Sequence, residues 1–349
     1  MMMMTLEYVL LLLENFLINI YIFMKDQSGR VVYMNGKYVP ESEAKISIFD
    51  SALMFGDMVF EMTRSFNKEQ FKLQEHIERL YIGLKILRIP EPMSQSDLKT
   101  KCLEVVEKNI SVFKDDDEHR LLINISRGPL GIYASMFGEK IEPTIVIADI
   151  PLRLTVSGFS KFYDKGINCV IPSQRSIPSS LMEPKIKNRS RMWYQVANIE
   201  VSQFKGDNNW ALLIDPDGFI TEGTGDNFFI IKDKAIISPE GRNILRGISR
   251  DYTKSLAAEL GFDYVEKNIE PYDVYCADEA FITGTPFCIL PVTSLNSIPI
   301  GSGQFGIITK KLLEKWSKNI GLDIEKQIRS WDSNNNFDIK APTPYQFKP

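Results

Sequence analysis

The feature that most constrains the fold is the distribution of strand-forming runs in the second half of the chain. Four short runs rich in apolar and β-branched residues occur there, at residues 168–171, 211–214, 227–231 and 235–237. Helical periodicity is limited to stretches near residues 191–204, 249–260 and 306–319. Strands and helices therefore do not alternate regularly, and the pattern predicts a mixed α and β domain, not a βαβ succession.

The first half of the chain combines strands with an amphipathic helix. Asn35-Gly36 supplies two positions that tolerate a positive φ, which predicts a tight hairpin turn within residues 31–39. Residues 71–73 are interpreted as a strand that leads into a helix stopped by Pro90. The apolar positions of that helix recur at helical spacing (Ile77, Leu80, Tyr81, Leu84 and Leu87). Further strands are expected at residues 121–125 and 144–147.

The length of 349 residues, with 44% hydrophobic and 25% charged residues, suits two globular domains. We expect a small N-terminal domain over residues 24–147, a linker over 148–157, a C-terminal domain over 158–338 and a loosely ordered tail over 339–349. Residues 1–23 contain a nearly unbroken apolar run. We interpret them as spurious upstream translation before a true start at Met24, with a hydrophobic membrane anchor as the alternative.

Charge and residue usage exclude several classes of function. The net charge of −4 gives no basic field for nucleic acid, and no glycine-rich nucleotide-binding loop is present. Four isolated cysteines indicate a reduced, cytoplasmic protein. With only His76 and His119, neither a zinc site nor a Ser-His-Asp triad is expected, and we predict no metal. Lysine and carboxylate side chains must therefore carry any acid-base chemistry.

Lys187 is the candidate nucleophile. It ends an extended stretch just before a helix whose apolar positions are Met192, Val196 and Ile199. An amine at such a boundary can project into a cleft, where desolvation lowers its pKa towards the nucleophilic range. Lys185 lies two residues earlier on the same strand face, so periodicity does not separate the two lysines. A solvated strand edge is the ordinary alternative for either one.

Three further segments supply groups that suit a phosphorylated pyridine cofactor. Glu222 follows a predicted hairpin turn at Asp217-Gly218, and a carboxylate there could keep a ring nitrogen protonated. Ser249 is interpreted as the N-cap of the helix at 249–260, and a helix N-terminus binds phosphate groups. Plain helix capping explains the serine equally well. Gly284-Thr285 adds a hydroxyl and an amide after a strand-like run.

Together these segments resemble the class IV (fold-type IV) pyridoxal-phosphate-dependent aminotransferases of the branched-chain and D-amino-acid type. The likeness runs from about Val31 to Leu313, and its most specific part extends from Glu222 through Asn227-Phe228-Phe229 to residues 245–250. The resemblance implies a two-domain fold: a small N-terminal α/β domain and a larger C-terminal cofactor domain with a β-barrel-like core. It also implies a homodimer or higher homo-oligomer.

By the same resemblance, Lys187 would form a Schiff base with pyridoxal 5′-phosphate and move the proton between substrate and cofactor. Glu222 would pair with the pyridine nitrogen, and Leu245 would pack against the ring. The phosphate would be held by Arg79, by Ser249 with the Ile248 amide, and by Thr285. Arg127 resembles a residue that recognises a substrate carboxylate in some members, although a turn-exposed arginine would look the same.

The implied reaction moves an amino group between an amino acid and a 2-oxo acid by ping-pong half-reactions. A branched-chain L-amino acid is the favoured donor, with a D-amino acid or an (R)-amine as alternatives. Two other functions stay open: an aminodeoxychorismate lyase with the same cofactor site, and an oligomeric cofactor-binding protein without turnover. One departure bears on the substrate, because Arg189, Arg191 and Trp193 follow Lys187 where branched-chain members usually show small residues and a tyrosine.

Overall fold

The computed structural model describes residues 29–138 and 140–333. The interpretations of residues 1–23, of a start at Met24 and of the tail at 339–349 lie outside the described residues. Within the described part of the chain, no helix is long and apolar enough to cross a membrane.

The N-terminal unit is built on a five-stranded antiparallel sheet in the order β2-β1-β7-β6-β3. Its strands, and the hairpin β4-β5 beside it, are β1 (Val31–Met34), β2 (Lys37–Pro40), β3 (Met58–Met62), β4 (Ser65–Phe66), β5 (Glu69–Gln70), β6 (His119–Ser126) and β7 (Thr144–Pro151). The turn between β1 and β2 has the predicted positive φ, 46° at Asn35 and 88° at Gly36.

Helices cover this sheet and its edges. They are α1 (Ser51–Phe55), α2 (Leu73–Leu87), α3 (Gln95–Asn109) and α4 (Gly131–Phe137), with short 3₁₀ turns at Glu41–Glu43 and Ile110–Val112. Helices α2 and α3 contribute Ile77, Leu84 and Leu98 to a core whose sheet side includes Ile123 and Ile147. This packing holds α2 against β3, from which one wall of the candidate site is built.

The C-terminal unit contains a nine-stranded sheet in the order β10-β9-β8-β15-β14-β11-β12-β13, with β16 paired to β15. The strands are β8 (Ile167–Val170), β9 (Asn209–Ile214), β10 (Ile220–Gly223), β11 (Asn227–Lys232), β12 (Ala235–Pro239), β13 (Tyr264–Lys267), β14 (Glu279–Gly284), β15 (Cys288–Leu295) and β16 (Ile298–Pro299). Because β10 also pairs with β11, the six strands from β10 round to β11 close into a barrel. The mixed fold and its barrel-like core are confirmed.

Seven helices of the described chain accompany the barrel. They are α5 (Arg153–Val156), α6 (Lys161–Lys165), α7 (Met192–Val201), α8 (Ile248–Leu260), α9 (Pro271–Tyr275), α10 (Ile307–Ile320) and α11 (Ile324–Ser333). The chain leaves the first sheet at the end of β7, and the predicted domain bounds stay a prediction. Strand β7 continues in the first sheet to Pro151, whereas Leu152 and Val156 already belong to the core of the second unit.

Three local predictions were wrong. Residues 71–73 form no strand: the strand is Glu69–Gln70, and Lys72, at a φ of 51°, turns the chain into α2. Residues 183–187 are turns and bends without a strand, so strand parity does not relate Lys185 to Lys187. Ser249 is not the N-cap of α8, because that position is Gly247 and Ser249 is the second helical residue.

Candidate active site

One cavity is lined by residues of both the first unit and the barrel unit. It is bounded by α2, the segment before α7, the β10-β11 turn, the start of α8 and the end of β14. All but one of the site residues predicted from the sequence line it: Arg79, Lys187, Glu222, Leu245, Ile248, Ser249 and Thr285. The exception is Arg127.

Lys187 is fixed by the first sheet. Its carbonyl accepts a hydrogen bond from the Phe60 amide at 2.9 Å, and Asn188 forms a bridge with Val59, so β3 holds this segment. The Nζ atom lies 4.9 Å from the centroid of the Phe60 ring. Burial lowers the pKa of Lys187 to about 7, and the positive charges of Arg191 and Arg79 act in the same direction. A substantial fraction of the amine is therefore neutral and nucleophilic near pH 7.

Lys185 does not line this cavity. Its amine forms an ion pair with Glu183 and donates a hydrogen bond to the Arg242 carbonyl at 3.2 Å. The irregular backbone between the two lysines directs their side chains to different surroundings. The geometry therefore favours Lys187 over Lys185 as the cavity nucleophile.

Glu222 also lines the cavity, lies at the end of β10 and is 6% exposed. One carboxylate oxygen accepts a hydrogen bond from the Tyr194 hydroxyl at 3.1 Å. The other accepts from Asn227 Nδ2 at 2.9 Å and from the Leu245 amide at 3.0 Å. Burial raises the pKa of Glu222 to about 7, although Arg191 and these donors oppose the rise. A cationic group placed beside it would therefore stabilise the carboxylate.

Arg79 projects from α2 and is oriented by a buried acid. Its Nε and Nη2 atoms donate to the two oxygens of Glu61 at 2.6 and 2.8 Å, and its Nη1 donates to the Arg246 carbonyl at 2.8 Å. His76 Nδ1 lies 2.7 Å from the same carboxylate. Burial alone would raise the pKa of Glu61, but Arg79 and His76 outweigh it and hold the pKa well below its usual value.

The start of α8 offers unsatisfied backbone donors. The amides of Ile248 and Ser249 lie in its first turn, where N–H groups have no acceptor within the helix. No side chain caps this end. Gly247 approaches Asn227 so closely that a Cβ there would lie 2.0 Å from Asn227 Oδ1. The chain therefore needs glycine where α8 begins, and this end of the helix suits an anion.

The end of β14 completes that side of the cavity. Thr285 lines the cavity, and so does Thr283, which is 1% exposed and whose hydroxyl has no hydrogen-bond partner. Buried polar atoms are normally satisfied, so an unpaired hydroxyl in a cavity wall indicates room for a polar ligand. Leu245 contributes the amide that binds Glu222, and its carbonyl accepts from Asn227 at 2.9 Å.

Arg127 is not brought to this cavity. Its Nε donates to Asp57 at 2.7 Å, and its terminal nitrogens donate to the carbonyls of Leu87 and Arg88, both at 2.8 Å. The guanidinium thus caps the C-terminal end of α2 by binding its last carbonyls. Its predicted role in substrate recognition stays a prediction.

Several residues at the site were missed from the sequence. Tyr194, Asn227 and Arg191 line the cavity, and Glu61 orients Arg79. A fifth is Asp226, where burial and the negative charge of Glu222 raise the pKa to about 8. Glu61 did leave a signal, because it is an acidic residue within the apolar strand β3. Tyr194 and Arg191 reach the cavity from a segment distant from Glu222, and periodicity does not show such contacts. Asn227 and Asp226 lie in the same short segment as Glu222.

The cavity therefore combines three chemical features. A nucleophilic amine can react with a carbonyl carbon, a buried carboxylate can pair with a protonated ring nitrogen, and an anion-binding end consists of Arg79, the first turn of α8 and Thr285. These are the groups that a phosphorylated heterocyclic aldehyde requires.

Comparison with known proteins agrees with these chemical features. The family model for amino-transferase class IV matches residues 58–295. A putative branched-chain-amino-acid aminotransferase from Methanocaldococcus jannaschii is 37% identical over 82% of this chain and 94% of its own length. A D-alanine aminotransferase from Bacillus licheniformis is 30% identical over 85% of this chain and 99% of its own length.

A solved structure shows the same architecture. The branched-chain amino acid aminotransferase of T.th. with pyridoxamine 5′-phosphate matches with a TM-score of 0.73 and 28% identity, covering 86% of this chain and 97% of the other. The fold-type IV architecture expected from the sequence is thereby confirmed. The chain belongs to the class IV aminotransferases and is a pyridoxal-phosphate-dependent transaminase.

Proposed function

We propose that Lys187 and Glu222 are the two residues that carry out transamination between an amino acid and a 2-oxo acid in this cavity. The observation that carries the proposal is their convergence, from separate segments of the fold, on a single cavity that also has an anion-binding end. Pyridoxal 5′-phosphate, when bound, supplies a ring that accepts electrons from the substrate carbon. Binding of the cofactor and transfer of the proton would be carried out by residues of the protein.

The donor set fits this cofactor. Arg79, the Ile248 and Ser249 amides, the Ser249 hydroxyl and Thr285 would hold its phosphate, and Leu245 would pack against its ring. Glu222, kept in place by its three donors, would face the ring nitrogen. The cationic nitrogen would offset the burial that otherwise raises the pKa of Glu222.

Lys187 would carry out two tasks. Its amine, with a pKa lowered to about 7, would bind the cofactor covalently. Once released, the same amine would move the proton from the substrate α-carbon to the cofactor in the first half-reaction, and from the cofactor to the carbon of the 2-oxo acid in the second. A base that titrates near the working pH suits both directions of that transfer.

For the amino donor we favour a branched-chain L-amino acid, with a D-amino acid or an (R)-amine as alternatives. The support is the 37% identity to the putative branched-chain relative, set against 30% to the D-alanine aminotransferase. We also propose a cytoplasmic location, which fits the four free cysteines, Cys102, Cys169, Cys276 and Cys288.

We further propose a homodimer or higher homo-oligomer. Large apolar side chains are strongly exposed on α1, α4 and α7: Phe55 is 65% exposed, Met136 68% and Met192 73%. Exposed apolar surface of this kind typically marks an interface between protein molecules. Light scattering of the purified protein should give at least twice the mass of one chain, and a mass of one chain would contradict the proposal.

The activity test uses the purified protein with the cofactor bound. The lysine-bound cofactor should absorb in the visible range, and L-leucine, D-alanine and an (R)-amine are then added in separate samples. Loss of that band with one donor, and its return on adding a 2-oxo acid, identifies the donor and supports the proposal. Persistence of the band with all three, with pyruvate released from aminodeoxychorismate, would instead indicate the lyase. Failure to bind the cofactor at all would overturn the assignment.

A further inference from the structure

Arg191 is a cavity residue that the proposed reaction does not yet use. It precedes α7 and lines the same cavity as Lys187 and Glu222. Its Nε donates to the Asn188 carbonyl at 2.8 Å. The guanidinium carbon lies 5.1 Å from the centroid of the Phe60 ring and 5.2 Å from that of Tyr194. One hydrogen bond and two aromatic rings therefore hold the cation in the cavity wall.

The positive charge of Arg191 is not neutralised by a direct partner. Arg79 forms an ion pair with Glu61, and Arg127 forms one with Asp57. Within residues 29–138 and 140–333, no aspartate or glutamate forms an ion pair with Arg191. The charge acts on Lys187 and Glu222, lowering the pKa of each. A guanidinium in a cavity without an ion-pair partner is suited to bind an anion from solution.

The cofactor phosphate would have its own donors, at Arg79, α8 and Thr285. The substrates of a transaminase bring the second anion, because both the amino acid and the 2-oxo acid carry a carboxylate. A planar guanidinium matches a carboxylate with two parallel hydrogen bonds. Arg127, the arginine that the sequence suggested for this task, is held outside the cavity by Asp57 and two carbonyls.

We propose that Arg191 binds a carboxylate of the substrate and thereby contributes to substrate selection in this chain. The inference rests on the proposed transaminase function. The carboxylate is either the one beside the reacting carbon or a second one at the far end of an acidic substrate. The test below separates these two sources.

The test measures binding of non-reacting acids to the holoenzyme by calorimetry. The probes are 4-methylvalerate with one carboxylate, glutarate with two, and the neutral 4-methylvaleramide. Arg191→Gln should weaken acid binding about tenfold to a hundredfold, the usual loss when a charged hydrogen-bond partner is removed. Loss for both acids assigns Arg191 to the carboxylate beside the reacting carbon, and loss for glutarate alone assigns it to the distal one. Binding of the amide should not change.

Three further variants make the outcome specific to Arg191. Arg191→Lys should recover part of the affinity, because it keeps the positive charge without the planar guanidinium. Arg242→Gln is the matched control for loss of one positive charge, since Arg242 is exposed and paired with Glu240. Arg127→Gln should weaken acid binding less than Arg191→Gln does. The reverse order would overturn the proposal, and so would unchanged affinity for both acids or an equal loss for the amide.

Turnover gives an independent readout. With Arg191→Gln, the KM for amino acids should rise, and kcat/KM should fall more for amino acids than for 3-methylbutylamine, which has no carboxylate. Any fall shared by both donors reports the effect of the Arg191 charge on Lys187 and Glu222, and an equal fall for both would overturn the carboxylate-binding role. Failure of the transaminase proposal would appear differently, as absence of turnover with every donor in the wild-type protein. In that event the calorimetric comparison still decides whether Arg191 binds carboxylates.

Discussion

Replacing Gly247 by alanine would place a methyl carbon against Asn227. The new Cβ would lie 2.0 Å from Asn227 Oδ1 and 3.2 Å from its Cγ. The backbone at Gly247 has a φ of −70° and a ψ of 138°, which alanine adopts without strain. The substitution therefore tests one steric contact and not the conformational freedom of glycine.

The size of the effect follows from what Asn227 holds. Relief of the overlap requires the amide group to move by more than about 1 Å, because carbon and oxygen atoms in contact are separated by roughly 3.4 Å. Such a shift breaks the 2.9 Å hydrogen bonds from Asn227 Nδ2 to Glu222 and to the Leu245 carbonyl. Losing a hydrogen bond to a charged group costs about 1.5–3 kcal/mol, and overpacking costs about 1–3 kcal/mol. From these two contributions we expect a loss of about 2.5–6 kcal/mol in unfolding free energy.

Thermal denaturation of the cofactor-free protein measures this loss. The melting temperature of Gly247→Ala should fall by roughly 5–10 °C, and cofactor binding should weaken because Glu222 and the start of α8 both shift. Gly241→Ala is the matched control: its backbone is equally ordinary and its Cβ would meet no atom closer than 3.5 Å. A Gly247→Ala protein that melts and binds the cofactor like the Gly241→Ala protein would refute the reasoning.

Three other substitutions test the electrostatics of the site. Burial and neighbouring charge lower the pKa of Lys187 to about 7, so the unfolded chain binds more protons between pH 7 and 10.5; the stability of the cofactor-free protein should therefore rise with pH over that window, by up to about 5 kcal/mol. Lys187→Met should remove this part of the pH dependence of urea unfolding, and an unchanged profile would contradict it. Glu222→Gln should retain the cofactor and lower kcat on the order of a hundredfold or more, because glutamine does not stabilise a protonated ring nitrogen; wild-type kcat would argue against that contact. Arg79→Met should destabilise the protein by about 3–5 kcal/mol by leaving Glu61 buried without its main cation, and adding Glu61→Gln should restore stability but not cofactor affinity. Restored affinity in the double variant would show that Arg79 does not hold the phosphate.

The sequence indicated Glu222 and the start of α8 because the contacts of these two features are local. Glu222 and Asn227 lie five residues apart on two strands joined by a short turn, and they pair directly in the barrel. A single short segment of the sequence therefore contains both residues of this contact. The start of α8 is equally local, although its N-cap was placed at Ser249. Serine is the usual capping residue, but here the position is occupied by Gly247, because Asn227 leaves no room for a side chain.

The parts that could not be predicted depend on contacts between distant segments. Lys187 and Lys185 are separated by an irregular backbone whose direction comes from pairing with β3, not from strand periodicity. The hydrogen-bonded ion pair between Arg127 and Asp57 joins residues that are 70 positions apart. Arg191 was noticed only as a departure from a family pattern. Arg191 lies beside Phe60 because the barrel unit packs against the first sheet, and the sequence alone does not show that packing.

The most direct test of the account is the chemical location of the cofactor. The holoenzyme is reduced with borohydride, digested, and analysed by mass spectrometry, together with the Lys187→Ala and Lys185→Ala variants. We expect the added phosphopyridoxyl mass on Lys187 in the wild-type protein and in Lys185→Ala, and no adduct in Lys187→Ala. An adduct on Lys185, or one that survives in Lys187→Ala, would contradict the assignment of Lys187 as the cofactor-binding residue.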